Sequence, residues 1–101
     1  MAPFRTQKLA VQFYRDIKKL SLPCGLQSQL ARAASSVALN LAEGRGRTSR
    51  LDQKRFFVIA MGSIRECQAI AELEQERFNE KLIDLMDHLA ASIFKLIRNS
   101  S

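Results

Sequence analysis

The fold this sequence predicts is all-α, an antiparallel up-down-up-down four-helix bundle. Three observations point to it. Apolar residues recur at helical spacing in four separate segments. Short connections join the segments, which makes successive helices antiparallel neighbours. Two prolines and four glycines in 101 residues leave little material for the turns of a β fold. A chain of this length makes one domain, residues 1–101, with a modest core. A composition 47% hydrophobic and 26% charged belongs to a globule and argues against disorder.

The first helix is expected over Thr6–Leu20, where Leu9, Phe13, Ile17 and Leu20 share one face. The stretch SLPCG should break it, because Pro23 cannot continue a helix and Gly25 weakens one. The second helix is expected over Gly25–Glu43. Leu26, Leu30, Ala34, Val37 and Leu41 form its main stripe, with a stripe of small residues (Ala31, Ser35, Ala38, Ala42) beside it and Leu39 on another side. A helix apolar over most of its circumference needs cover on more than one side, and in a short chain part of that cover can be a second subunit. Gly44 reads as the residue that ends it.

The third helix is expected over Leu51–Glu76. Ser49 and Asp52 make a capping-box-like start, and Phe56, Ile59, Ala60, Ser63, Cys67 and Ile70 form the inner face. The fourth is expected over Asn79–Arg98, with Leu82, Leu85, Met86, Leu89, Ile93, Leu96 and Ile97 as the cleanest amphipathic stripe of the chain.

Charge is distributed unevenly. The net charge is +6, yet residues 1–55 carry eleven Lys/Arg against three Asp/Glu, and residues 56–101 carry five against seven. The predicted topology sorts these charges further. One pole collects Arg5, Lys8, Arg45, Arg47, Arg50, Lys54, Arg55, Lys95 and Arg98 against Glu43 and Asp52. The other sets Lys18, Lys19, Arg77 and Lys81 against Glu72, Glu74, Glu76, Glu80 and Asp84. A basic pole suggests an anionic partner.

The stretch AEGRGRTSR, Ala42–Arg50, concentrates the question. Arg45 and Arg47 near a helix C-terminus are favourable there, and a solvated cap accounts for them. Arg50, Lys54 and Arg55 lie near the start of the next helix, where the dipole disfavours cations by about 0.3–1 kcal/mol each. A local rule broken repeatedly in one place marks a candidate site. Free N–H groups at a helix start, with arginines alongside, suit phosphate. The spacing is not a P-loop.

The stretch QLARAASSVALNLAEGRGRTSRLDQKRFFVIAMGSIRE resembles the four-helix-bundle proteins encoded in intervening sequences of bacterial large-subunit ribosomal RNA, a group that includes the accessory variability protein of diversity-generating retroelements. The resemblance rests on Gln29, Leu30, Arg32 and Ala33; on Asn40, Glu43 and Gly44; and on Phe56, Ala60, Gly62, Ser63 and Glu66. Ala31 stands where relatives carry the first arginine of a pair, and the connection LSLPCGLQ is shorter than usual. The resemblance implies a bundle that forms a ring-like homopentamer and binds RNA or DNA. In the retroelement branch it implies partnership with a reverse transcriptase.

Arg32, Ser36, Asn40 and Glu43 fall within one narrow arc of the second helix, off its main stripe. With Ser63 and Glu66 they form a candidate structural or subunit-interface network, the alternative being a plain polar face. His88 lies opposite the stripe of the fourth helix and reads as a surface residue, and Cys67 as a small buried hydrophobe. Phe13, Phe56 and Phe57 read as core. Phe57 points off the predicted inner face, which makes it the first candidate to stack on a base.

No metal-ligand spacing and no nucleophile set can be assembled, so no cofactor and no catalytic residue is expected. No apolar run approaches the roughly 20 residues of a membrane span. The beginning of the chain lacks the apolar core of a secretion signal. A cytoplasmic, non-enzymatic nucleic-acid-binding homo-oligomer is therefore expected, with Arg45, Arg47, Arg50, Lys54 and Arg55 on phosphates. The alternative is an interaction module that docks an acidic protein surface on the same pole.

Overall fold

The computed structural model describes residues 2–100, with side chains over 4–100. Four α-helices form: α1 Ala2–Ile17, α2 Leu26–Arg45, α3 Arg50–Leu73 and α4 Glu80–Asn99, with a 3-10 turn Gln75–Arg77 ahead of α4. Among the described residues there is no strand. The molecule measures 41 × 22 × 18 Å. At 1.5 Å per residue α3 alone is about 36 Å long, so the helices run along the long axis. Each helix packs on two neighbours, α1 on α2 and α4 and α3 on the same two, while the diagonal pairs stay apart. That packing is consistent with a bundle.

One core fills the centre. Phe13, Ile17, Leu30, Val37, Leu41, Phe57, Ile64, Leu89 and Ile93 are fully buried in it. Each such large side chain contributes about 1.5–3 kcal/mol relative to exposure. In α4 the predicted stripe is the observed one: Leu82, Met86, Leu89, Ile93 and Leu96 are buried, with Leu85 and Ile97 at the edges. Asn79 caps this helix, its side-chain oxygen accepting from the Leu82 N–H at 2.8 Å.

The first helix departs from expectation at both ends. It begins at Ala2, not Thr6, with Pro3 in the first turn, where a missing N–H costs nothing. Thr6 is instead buried, its hydroxyl 2.6 Å from that of Ser92 on α4. The helix ends at Ile17, well before Pro23. A tightened last turn carries the chain out, with Leu20 N–H donating to the Ile17 carbonyl at 3.1 Å. Leu22 then folds back into the core.

Gln27 holds this loop: its amide donates to the Ile17 carbonyl at 3.1 Å, and its oxygen accepts from the Leu22 N–H at 3.3 Å. Cys24 (φ 54°) and Gly25 (φ 77°) are both left-handed, and they reverse the chain into α2.

Gly44 does not end α2. It lies inside the helix, buried, and the helix runs to Arg45 with Gly46 as C-cap. A Cβ on Gly44 would stand 2.7 Å from Phe57 Cε1 and 3.1 Å from Phe56 Cβ. The glycine is a close-approach position between α2 and α3.

Helix α3 is rotated from the predicted phase. Phe57, Ala60, Ile64, Cys67 and Ala71 face the core, together with Ile70, while Phe56 and Ser63 are half-buried and Ile59 is exposed. The run FFVI is apolar around most of the helix and permits either phase locally. The observed one buries Ile64 in place of Ser63, whose hydroxyl would need a buried partner, and fits the Phe57 ring against Gly44. Phe57 is sealed in the core, as its reading as a core residue expected, and this removes the alternative of base stacking for it.

Candidate nucleic-acid interface

The basic stretch folds as a helix end, a four-residue loop and a helix start. Gly46 closes α2 by donating to the carbonyls of Ala42 and Glu43, each at 3.2 Å. Ser49 opens α3, its hydroxyl accepting from the Asp52 N–H at 3.1 Å. Gln53 reaches back to the Arg47 carbonyl at 3.2 Å, which ties the loop to the first turn of α3.

Around this frame the arginines diverge. Arg45 lies over the Phe4 ring of α1 at 4.8 Å, and Lys8 approaches the same ring at 5.0 Å. Arg47 lies over Phe56 of α3 at 4.8 Å, as does Arg55 at 5.1 Å. Arg47 is also paired with Glu43 at 2.7 Å. Arg50 and Arg55 are exposed and form no ion pair among the described residues, and Lys54 is half-buried. The five candidate cations therefore share one tip, with Arg47 paired to a carboxylate of the same chain. Phe4 and Phe56 were missed as members of the site. The spacing of Phe4 and Lys8, four residues apart on α1, is the sequence signal that could have shown one of them.

Other cations continue from the tip. Arg5 and Lys95 line a groove of about 510 Å³ between α1 and α4 with His88 and Asn99, over the Thr6 and Ser92 hydroxyls. Arg98 lies over Phe94 at 5.9 Å. Along α3 and α4, Arg65, absent from the predicted pole, joins Lys95 and Arg98 in lining a groove that also contains Asp87. The far end differs. Lys19 pairs with Asp16 at 3.9 Å, and Arg77 pairs with Glu74 at 3.4 Å and donates to the Ser21 carbonyl at 2.8 Å. A groove of about 560 Å³ there carries Glu72 and Asp87 on its walls and is unsuited to phosphate.

Only part of the candidate polar network comes together. The hydroxyls of Ser36 and Ser63 meet at 2.8 Å between α2 and α3, and Asn40 donates to the Ser36 carbonyl at 2.8 Å and its hydroxyl at 3.1 Å. Glu43 turns to Arg47 instead. The side chains of Arg32 and Glu66 are exposed, with no hydrogen bond or ion pair among the described residues. Beside this cluster two apolar side chains are exposed, Leu39 next to Asn40 at 69% and Ile59 one turn before Ser63 at 46%. Beneath it, burial pushes the Cys67 thiol up from 9.0 to about 12, with a smaller contribution from the Glu66 carboxylate. Cys24 is exposed.

The family model for the 23S rRNA-intervening sequence protein matches residues 4–99. The chain belongs to that family. The match covers every helix and both halves of the basic tip, and the family's name associates it with ribosomal RNA. Among curated proteins none matches the chain. As for membranes, no helix among the described residues is long and apolar enough to cross one.

Proposed function

We propose that this 23S rRNA-intervening sequence protein is a non-enzymatic RNA- or DNA-binding accessory protein that works as a cytoplasmic homo-oligomer. The observation that carries the reading is the tip itself. Arg45, Arg47, Arg50 and Arg55 surround a four-residue loop, with Glu43 forming the one ion pair among them that the described residues show. Antiparallel, up-down-up-down helices account for the placement, because Phe4 of α1 meets Arg45 of α2 while Thr6 of α1 meets Ser92 of α4.

Guanidinium groups on a loop reach phosphates before base edges, so binding is electrostatic and weakly sequence-specific. Copies arranged about an axis would repeat the tip and multiply its field. The exposed Leu39 and Ile59, beside the Ser36–Ser63 cluster, supply the contact between copies. Five copies, and a reverse transcriptase as partner, follow from the resemblance to the retroelement accessory protein.

The test is RNA binding across salt on material whose mass is measured by light scattering. For five phosphate contacts on a single strand, affinity should fall about a hundredfold between 50 and 200 mM salt. Reversing Arg45, Arg47, Arg50, Lys54 and Arg55 to Glu should abolish binding. Unchanged affinity in that variant would falsify the assignment of the tip. Capture of an acidic protein without nucleic-acid binding would replace it with a docking role.

A further inference from the structure

The tip holds its cations in a particular way. Gly46 separates Arg45 from Arg47, and the two guanidinium groups settle over phenylalanines of different helices, Phe4 on α1 and Phe56 on α3. Lys8 and Arg55 join them, so each ring carries two cations. Three of these four are arginines.

Phosphate capture alone asks for none of this, since a hydrated lysine on a free stem serves as a point charge. A guanidinium held over a ring loses little further conformational freedom on binding, and it is planar. Arg47 sharpens the distinction. Its charge is already met by Glu43 at 2.7 Å, which weakens it as a phosphate ligand but leaves its plane in place. Phe4 is itself 46% exposed, so part of its ring remains available. Planar guanidinium groups and aromatic rings are the surfaces on which unpaired nucleobases stack, and a duplex keeps its base faces hidden.

Resting on the nucleic-acid reading of this same tip, we infer that it selects unpaired nucleotides. The Phe4–Arg45 and Phe56–Arg47–Arg55 clusters stack bases, while Arg50, exposed between Arg47 and Arg55 in sequence, takes backbone phosphate.

The experiment compares three probes at one moderate salt concentration by fluorescence anisotropy: an unstructured RNA single strand, a fully paired RNA duplex of the same length, and inorganic polyphosphate as phosphates without bases. The single strand should bind at least roughly tenfold tighter than either of the others. The variants Arg45→Lys and Arg47→Lys change exposed side chains and keep the charge. In both, the ratio of single-strand to polyphosphate affinity should fall toward one. Phe4→Leu, at a half-exposed position, should do the same. Equal binding of single strand and duplex, or a preference untouched by all three variants, overturns the stacking inference and leaves the electrostatic tip standing. Failure to bind any of the three probes overturns both.

Discussion

Gly44→Ala offers a direct test of how α2 meets α3. The added Cβ would stand 2.7 Å and 3.0 Å from two carbons of the Phe57 ring, and 3.1 Å from Phe56 Cβ. Ordinary carbon contacts begin near 3.5 Å. Phe57 is 2% exposed and cannot swing aside into solvent. Overpacking of this kind costs about 1–3 kcal/mol. The gain from replacing a helical glycine by alanine is about 1 kcal/mol and opposes it. A net loss of about 1 kcal/mol follows, or roughly 4–8 °C in Tm for a domain of this size.

Gly46→Ala is the control two residues away. Its Cβ would meet backbone oxygens at 3.7 Å, and its φ of −84° suits any residue. That variant should stay within about 0.5 kcal/mol of the parent. Urea and thermal unfolding followed by circular dichroism read both. Phe57→Leu, which removes the ring, should make Gly44→Ala less harmful in a double-mutant cycle. Wild-type stability in Gly44→Ala, or an equal loss in Gly46→Ala, would refute the close approach and restore Gly44 as a simple helix end.

Two further outcomes follow, one from a buried thiol and one from a half-buried amide. With the folded thiol at about 12 and an unfolded value of 9.0, Cys67 keeps a proton through that window that the unfolded chain sheds. Stability contributed by the thiol is therefore complete below pH 9.0 and falls as pH rises, with a slope approaching about 1.4 kcal/mol per pH unit. Cys67→Ala should flatten the loss in urea midpoint between about pH 8 and about pH 10; equal pH dependence in the two proteins would count against the buried thiol. Separately, Gln27→Ala removes two hydrogen bonds that hold the α1–α2 loop and should cost about 1–2 kcal/mol, with faster amide exchange at Leu22. An unchanged unfolding midpoint would show that the loop holds without it.

The helices were legible wherever one phase of the apolar pattern dominates. In α4 polar residues interrupt the stripe on every turn, and Leu82, Met86, Leu89, Ile93 and Leu96 could be placed inside without ambiguity. In α3 the run Phe56–Ile59 gives two competing phases, and the choice between them is made by a residue on another helix. Gly44 admits the Phe57 ring, and that fit turns Phe56 outward onto the arginines. The same glycine that reads locally as a helix end is thus what places an aromatic ring at the basic tip.

Phe4 was legible only in part: its spacing from Lys8 is visible in the sequence, but its meeting with Arg45 is not. The early start of α1, with Pro3 in its first turn, extends the helix to the level where Arg45 arrives. The cations could be found by counting charge. Where their aromatic supports meet Arg45 and Arg47 could not, because that depends on where a neighbouring helix begins or how far it is rotated. If the tip reads bases as well as phosphates, that selectivity resides in helix packing and is invisible to any count of arginines.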